Sequence, residues 1–348
     1  MKTFEELTRL GRIRRMRQLA QTALDSYGMP GARLKFVRLA GNTLFRVFEL
    51  RPTLISRPDL YAAGQYMLRI HQPGYQTREA IELELTWLAA MCREAGLPVP
   101  QPVPTLTGSL LAQVQTPGIP EERNCSMLRW VKGHRVKTEH VRPEHFEAQG
   151  ELMARLHQFA SGWLPPSDIT KRKYDWDGLF REDSGTGIPA SEAWDLLPRE
   201  YVPLYEHISK KMQQVMDRWG KNPQVYGLIH ADLGMDANLL FQGGKARAID
   251  FDDSGFGYYA YDLSLALEHV QEHESLPRYR EALLEGYSRI RFLDEGQVNN
   301  LDLFLAAFCV YLSLWAAASI PSYPKYKAEL LQRMKRAFKM ANRLIMAY

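Results

Sequence analysis

Between Val225 and Asp253 the chain reads VYGLIHADLGMDANLLFQGGKARAIDFDD, where apolar segments hold a histidine, several carboxylates and an asparagine close together. His230, Asp232, Asn238 and Asp250 are residue types that phosphoryl transfer calls for: a carboxylate to accept a hydroxyl proton, and an amide oxygen with a second carboxylate to hold magnesium. Magnesium takes hard oxygen ligands in an octahedron and keeps several waters, so one carboxylate, one amide and the phosphates of a nucleotide suffice without a dedicated cage. In this reading Asp232 is the catalytic base, Asn238 and Asp250 supply metal oxygens, and His230 shapes the loop. The same aspartates also suit plain turns at strand ends. A metallohydrolase built on His230, Asp232 and Asp250 lacks a further His or Asp cluster to complete its coordination.

The neighbouring residues predict the elements that must position these groups. Val225 to Ile229 reads as a short buried strand, and Asn238 to Phe241 and Ala246 to Phe251 as two more, joined by the turn Gln242-Gly243-Gly244-Lys245. The polar residues therefore fall at strand ends and in one loop, where binding groups tend to lie. Upstream, Phe4 to Tyr27 carries Leu7, Leu10, Ile13, Met16 and Leu19 at helical spacing beside a basic face, which predicts an amphipathic helix packed on its own domain. From Arg33 to His71 the pattern turns to strands (RLKFVRLA, NTLFRVFEL and QYMLRIH), the last two separated by a loop with Pro52, Pro58 and Gly64. A helix from Thr77 to Ala95, capped by Thr77, then interrupts the sheet, and Gln101 to Thr107, Ser109 to Thr116 and Cys125 to Val131 read as further strands. Beyond Lys132 the character is helical, at Pro143 to Ala160, up to Trp219, and at Tyr258 to His273, Leu276 to Tyr287, Gln297 to Ala318 and Pro324 to Met346, with a polar stretch from Ser161 to Pro198 between the first two. The domain expectation is 1–131 for a sheet-rich unit and 132–348 for a helical one.

The run from His230-Ala-Asp232 through Asn238, followed by Ile249-Asp250-Phe251-Asp252 and then Tyr261-Asp262-Leu263, resembles the catalytic and metal-binding segments of the aminoglycoside phosphotransferase and choline kinase family. The resemblance extends over the order of elements from about Arg33 to Trp315, and the paired motif is its specific part. It implies an α+β, protein-kinase-like fold of two lobes, a small antiparallel sheet that binds the nucleotide and a larger, mostly helical lobe. It also implies a phosphotransferase that uses ATP and Mg2+ to act on a hydroxyl of a small molecule, by default an amine- or amino-acid-bearing alcohol. Carried over by position, Arg69 touches the nucleotide phosphates and Glu84 pairs with it. Met127 to Val131, including Arg129, forms the hinge whose backbone meets the adenine edge, and Gly41-Asn42-Thr43 turns over the phosphates. The chain departs from the family at Arg69, where lysine is usual, and in the five residues between Asp232 and Asn238, one more than usual. The loop either absorbs the extra residue, with Gly234 supplying unusual backbone angles, or brings Asp236 to the metal in place of Asn238. Asp252 or Asp253 is a second metal ligand, a solvated acid or a helix cap for the element after Gly257, and Asp262 caps its helix or braces the catalytic loop. A protein Ser/Thr kinase and a nucleotide-binding interaction module are the alternative readings.

Bulk properties agree with a globular chain: 348 residues, 45% hydrophobic and 24% charged, are too many for one small core. A net charge of +4 with interspersed signs argues against a nucleic-acid partner. Cys92, Cys125 and Cys309 show no paired spacing, the start lacks the apolar core of a signal peptide, and the longest apolar run, Leu303 to Leu314, falls short of a membrane span. The expectation is a cytoplasmic protein with no membrane partner. Aromatic residues such as Tyr258, Tyr259, Tyr261, Tyr311 and Trp315 are assigned to the core.

Overall fold

The structure, a computed structural model, describes residues 3–4, 6–49, 57–166, 171–184 and 186–348. The Pro52 part of the expected loop, Leu50 at the end of the second strand, and residues 167–170 and 185 of the polar stretch lie outside them. The chain divides into two compact units, Met1–Gly133 and His134–Tyr348.

The first unit contains α1 (Arg9–Ser26), β1 (Arg33–Ala40), β2 (Asn42–Phe48), β3 (Tyr61–Ile70), α2 (Arg78–Glu94), β4 (Leu111–Val114) and β5 (Arg123–Val131). The strands form one antiparallel sheet in the order β1-β2-β3-β5-β4. Alternation along β2 and β3 sends Phe45, Val47, Leu68 and Ile70 to one face, where Met16, Leu19, Ala23 and Leu24 of α1 cover them. Helix α1 begins at Arg9 because the Thr8 hydroxyl caps the Gly11 amide, and Leu10, assigned to the apolar stripe, is exposed. Thr77 caps α2 as expected. The strand expected at Gln101 to Thr107 does not form. Pro102 and Pro104 have no amide proton, so this segment meets β5 through two backbone bonds among the described residues, Val103 N to Met127 O and Arg129 N to Gln101 O.

The second unit runs α3 (Pro143–Gly162), β6 (Lys173–Tyr174), α4 (Trp176–Phe180), α5 (Ala190–Ala193), α6 (Val202–Trp219), β7 (Tyr226–Ile229), β8 (Leu239–Gln242), β9 (Lys245–Ala248), β10 (Gly255–Tyr258), α7 (Tyr259–Leu265), α8 (Leu276–Ser288), α9 (Glu295–Asn299), α10 (Leu301–Ser322) and α11 (Lys327–Ala347). Strands β8 and β9 form a hairpin whose turn places both Gly243 and Gly244 at positive φ, the two-residue turn that matches strand twist. Two expectations shift here. The strand predicted to reach Phe251 stops at Ala248, which frees Asp250 from the ladder, and the helix predicted from Tyr258 starts one residue later because Gly255–Tyr258 pairs with β7. The run Leu303 to Leu314 proves to be part of a 22-residue helix, α10, long and apolar enough by composition to cross a bilayer. Most of its apolar window is buried within the unit, against α6, α7 and α11, as befits a core helix.

Helices α3 and α8 come into backbone contact through two glycines. A Cβ on Gly150 would lie 2.0 Å from the Leu283 carbonyl oxygen, and one on Gly286 would lie 2.0 Å from that of Glu147. No side chain can yield there, because the obstacle is backbone on both sides. Gly150→Ala and Gly286→Ala should therefore each lower stability by at least ~1–3 kcal/mol, the usual cost of overpacking, even though alanine is the better helix former. Thermal melts of the two variants check this, and an unchanged midpoint would contradict the close packing.

Candidate active site

The loop that follows β7 is held by a single carboxylate. Asp262, the fourth residue of α7 and fully buried, accepts the His230 amide on Oδ2 at 2.9 Å and the Ala231 amide on Oδ1 at 2.7 Å. Its Oδ2 also lies 3.1 Å from His157 Nε2 on α3, whose Nδ1 is 2.9 Å from the Tyr287 hydroxyl on α8. Burial pushes the His157 imidazole down, so it stays neutral, with Nε2–H donating to Asp262 and Nδ1 accepting from Tyr287. Burial also acts to raise the Asp262 carboxyl, but the His157 hydrogen bond and the His230 amide prevail and hold it below its ordinary range. Asp262 thus braces the loop, which decides between the two roles expected for it.

His230 is buried and kept neutral by burial. Because the Ile249 carbonyl, 3.0 Å from Nε2, can only accept, that nitrogen carries the proton, and Nδ1 takes the Asp232 amide at 3.3 Å. The ring packs on Phe251 with centroids 4.4 Å apart. Its function is to tie the end of β7 to the segment beyond β9. Further along the loop the Gln149 amide of α3 donates to the Leu233 carbonyl at 2.8 Å, so the α3–α8 glycine contact bears on the loop as well.

Asn238 directly precedes β8 and is buried, and its Nδ2 donates to both the Asp232 carbonyl at 2.9 Å and Asp232 Oδ2 at 2.7 Å. Two acceptors on Asp232 set the amide's orientation and leave Asn238 Oδ1, a hard oxygen, for other partners. The extra loop residue is absorbed by a helical turn in which the Gly234 carbonyl accepts the amides of Ala237 and Asn238, each at 3.3 Å. Gly234 itself does not take a positive φ, contrary to expectation, and the left-handed residues are Ala231 (φ 64) and Asp250 (φ 63). Among the described residues these are the two non-glycine positions of that kind, and both adjoin the predicted chemistry. Asp236 turns to Thr138, 3.4 Å away, and to His269, at 3.6 Å. Asp253 pairs with Arg172 at 2.7 Å and caps no helix, since α7 begins at Tyr259 without a side-chain cap.

The electrostatics mark Asp232. The residue is open to solvent, yet the protein crowded around its carboxyl, together with facing Asp253 and Asp250, pushes its pKa up to about 7. Among the described residues no three His, Cys, Asp or Glu side chains cluster as a metal cage, and the side-chain donors nearby, carboxylates and the Asn238 amide oxygen, are of the hard type that a divalent cation such as magnesium takes when phosphates and waters complete its shell.

In the first unit Arg69 and Glu84 meet as a buried, two-pronged ion pair, Nη1 to Oε2 at 3.2 Å and Nη2 to Oε1 at 2.9 Å. Arg69 lies on β3 between Leu44 and Ser126 of the flanking strands. In the expected hinge, Met127 O accepts the Val103 amide and Arg129 N donates to Gln101 O, at 2.8 Å each, while Val131 closes β5 opposite Tyr61. The Met127 side chain is buried, and the Arg129 guanidinium lies over the Tyr66 ring. The turn Gly41-Asn42 is tight, with Gly41 at φ 64 and Asn42 Oδ1 accepting the Gln72 amide at 2.8 Å.

A family model described as a phosphotransferase enzyme family matches residues 36–297. The chain belongs to that phosphotransferase family. Amicoumacin kinase of Bacillus subtilis is 25% identical over 221 residues, 61% of this phosphotransferase and 59% of that protein's length. Homoserine kinase of Parvibaculum lavamentivorans is 24% identical over 250 residues, 69% and 70% of the two chains. A solved microcompartment-associated aminopropanol kinase shares the fold, with a TM-score of 0.75 at 24% identity over 95% of this chain and 98% of that one. The expected α+β, kinase-like, two-lobed fold is therefore correct.

Sequence reasoning missed Gln149 and His157, which brace the loop from α3. Neither carries a local motif, and only the helix packing brings them there. Asp262→Asn would leave one buried loop amide facing an NH2 group, so it should cost ~1–3 kcal/mol and depress turnover further by loosening Asp232. By contrast Gly234→Ala, whose added methyl would sit at ordinary contact, 3.5 Å from His269 Cε1, should match the wild type. Thermal midpoints and turnover of both variants check the contrast.

Proposed function

We propose that this phosphotransferase moves the γ-phosphoryl group of ATP to a hydroxyl of a small molecule in the presence of magnesium, with an amino alcohol as acceptor. The observation that carries the reading is the Asn238 amide clasping Asp232 on a loop braced by Asp262, in a chain of this family. Asp232 takes the proton of the acceptor hydroxyl as its oxygen bonds to the γ-phosphorus and the bond to the departing ADP breaks. A carboxylate placed beside the acceptor hydroxyl is the group type suited to that proton transfer. Asn238 and Asp250 would hold the magnesium, whose charge would offset that of the phosphates. Asp232 itself orients the hydroxyl, and positioning of this kind is worth more here than covalent help, because the transition state is loose. Arg69, held by Glu84, steadies the phosphates, and Val131 offers the hinge backbone.

The relatives named above are small-molecule kinases, and two of those names, aminopropanol kinase and homoserine kinase, specify amino alcohols. They lend nothing to the protein-kinase alternative. The interaction-module alternative rested on Arg69 and the longer loop. Arg69 has its Glu84 partner and Asn238 reaches Asp232, so both motives weaken. A cytoplasmic location fits an acceptor of this class.

Asp232→Asn should reduce transfer by roughly a hundredfold or more, the scale of a lost general base, while ATP binding persists; full activity in that variant would sink the assignment. Asn238→Ala should raise the magnesium concentration needed for half-maximal rate, and Asp236→Ala should leave it unchanged. The reverse pattern would reassign the metal ligand.

A further inference from the structure

Helix α11 has two differently made faces. Leu330, Met334, Ala337, Ala341 and Leu344, three or four residues apart, form a buried stripe that packs the helix on α10. The opposite face is exposed and basic. The helix holds six basic residues and one acidic, Glu329, in a chain whose net charge is +4, so the rest of the molecule is close to neutral. From Leu330 to Tyr348 there is no acidic side chain.

Four of the cations, Lys335, Arg336, Lys339 and Arg343, are exposed and fall within about a 100° arc opposite the buried stripe, in a row about 12 Å long. Lys335, Lys339 and Arg343 follow one another at intervals of four, the spacing at which like charges repel and an acid would stabilise. Among the described residues Lys335, Arg336 and Lys339 have no acidic partner, and Arg343 has Glu272 at 3.6 Å, itself almost fully exposed. The row therefore weakens the helix slightly, while the apolar stripe alone suffices to seat it. What the row does provide is a rigid surface presented to an anion.

Two exposed apolar residues say which anion. Leu331, 42% exposed, lies one turn before Lys335, and Met346, 82% exposed, lies about one turn after Arg343, both on the outward side. A bilayer takes cations at its headgroups and apolar side chains just beneath them, so it matches the row and both of its ends. A nucleic acid would match the cations alone. Phe338, the one ring between Leu331 and Met346, is stacked on Tyr201 at 4.0 Å and so is not offered to a base. The expectation of no membrane partner rests on the length of apolar runs, which bears on crossing a bilayer and not on touching one.

We infer that the outward face of α11 docks on an anionic phospholipid surface, holding the enzyme at the membrane through charge and two shallow apolar contacts. The inference depends neither on the acceptor nor on the roles given to the catalytic residues.

The full-length protein is sedimented with vesicles of phosphatidylcholine alone and of phosphatidylcholine mixed with phosphatidylglycerol, at roughly 0.05 and 0.5 M salt. It should bind the anionic vesicles at low salt, leave them at high salt, and ignore phosphatidylcholine alone. Lys335→Glu combined with Lys339→Glu should lower the affinity at least ~25-fold, about fivefold for each cation, and Met346→Asp should lower it as well. Lys210→Glu combined with Arg218→Glu, on the exposed side of α6, alters the net charge equally and should leave binding as it is. All three variants should melt with the wild type, since each changes exposed side chains only. A wild type that does not bind anionic vesicles at low salt overturns the inference. Equal binding to both kinds of vesicle overturns it too, as does an equal loss in the α6 double variant, which would make net charge the cause. Unchanged affinity of Met346→Asp, with equal or tighter binding of the wild type to duplex DNA or to polyglutamate at the same salt, would assign the row to that partner and overturn the lipid surface.

Discussion

One buried carboxylate organises the catalytic loop. Asp262 accepts two consecutive backbone amides of the segment after β7, His230 on Oδ2 and Ala231 on Oδ1. Directly after the second of these amides the chain turns, with Ala231 in the left-handed region at φ 64. For a residue with a Cβ this costs about 1–2 kcal/mol, which the charge-assisted bonds to Asp262 offset. The consequence is a reversal of the chain directly before Asp232, which carries its carboxyl out of the strand and toward Asn238 rather than into the hydrophobic interior behind Leu233.

A buried anion needs support of its own, and the support comes from distant parts of the chain. His157 on α3 donates to Asp262, and Tyr287 on α8 fixes the imidazole from its other nitrogen. That relay spans two helices that can lie close enough only because Gly150 and Gly286 present no side chains where their backbones meet. Gln149, one residue from that contact, holds the Leu233 carbonyl. The packing of two helices is in this way transmitted to the position of one carboxylate. The first unit uses the same device on a smaller scale, where Glu84 on α2 fixes Arg69 on β3 through two parallel bonds in a dry setting. Breaking such a pair strands a buried charge and costs about 3–5 kcal/mol, so each partner constrains the other.

Much of the molecule was legible in the sequence. Strand alternation from Arg33 to Phe48, the Thr77 cap and the paired glycines of the β8–β9 turn are local signals, and each forms where the residue types dictate. The motif run around Asp232 and Asp250 pointed to the family before any geometry was known. What misled was local signal overruled by neighbours. Gln101 to Thr107 looks like a strand by its apolar alternation, but two prolines cannot donate to β5. Gly234 looks like the flexible residue of the loop, yet the left-handed backbone falls on Ala231, beside the amides that Asp262 accepts.

The sequence by itself determined the fold class, the order of elements and which side chains are able to do chemistry, because periodicity, turn residues and functional groups are properties of short segments. The tertiary structure decided that the Asn238 amide meets Asp232 while Asp236 turns to Thr138 and His269, that His157 and Gln149 brace the loop, that Met127 and Arg129 spend backbone atoms inside the sheet, and that Tyr261 carries an unmatched hydroxyl. Those outcomes depend on contacts between residues far apart in the chain, and the geometry of such contacts is set by packing, which no short segment contains.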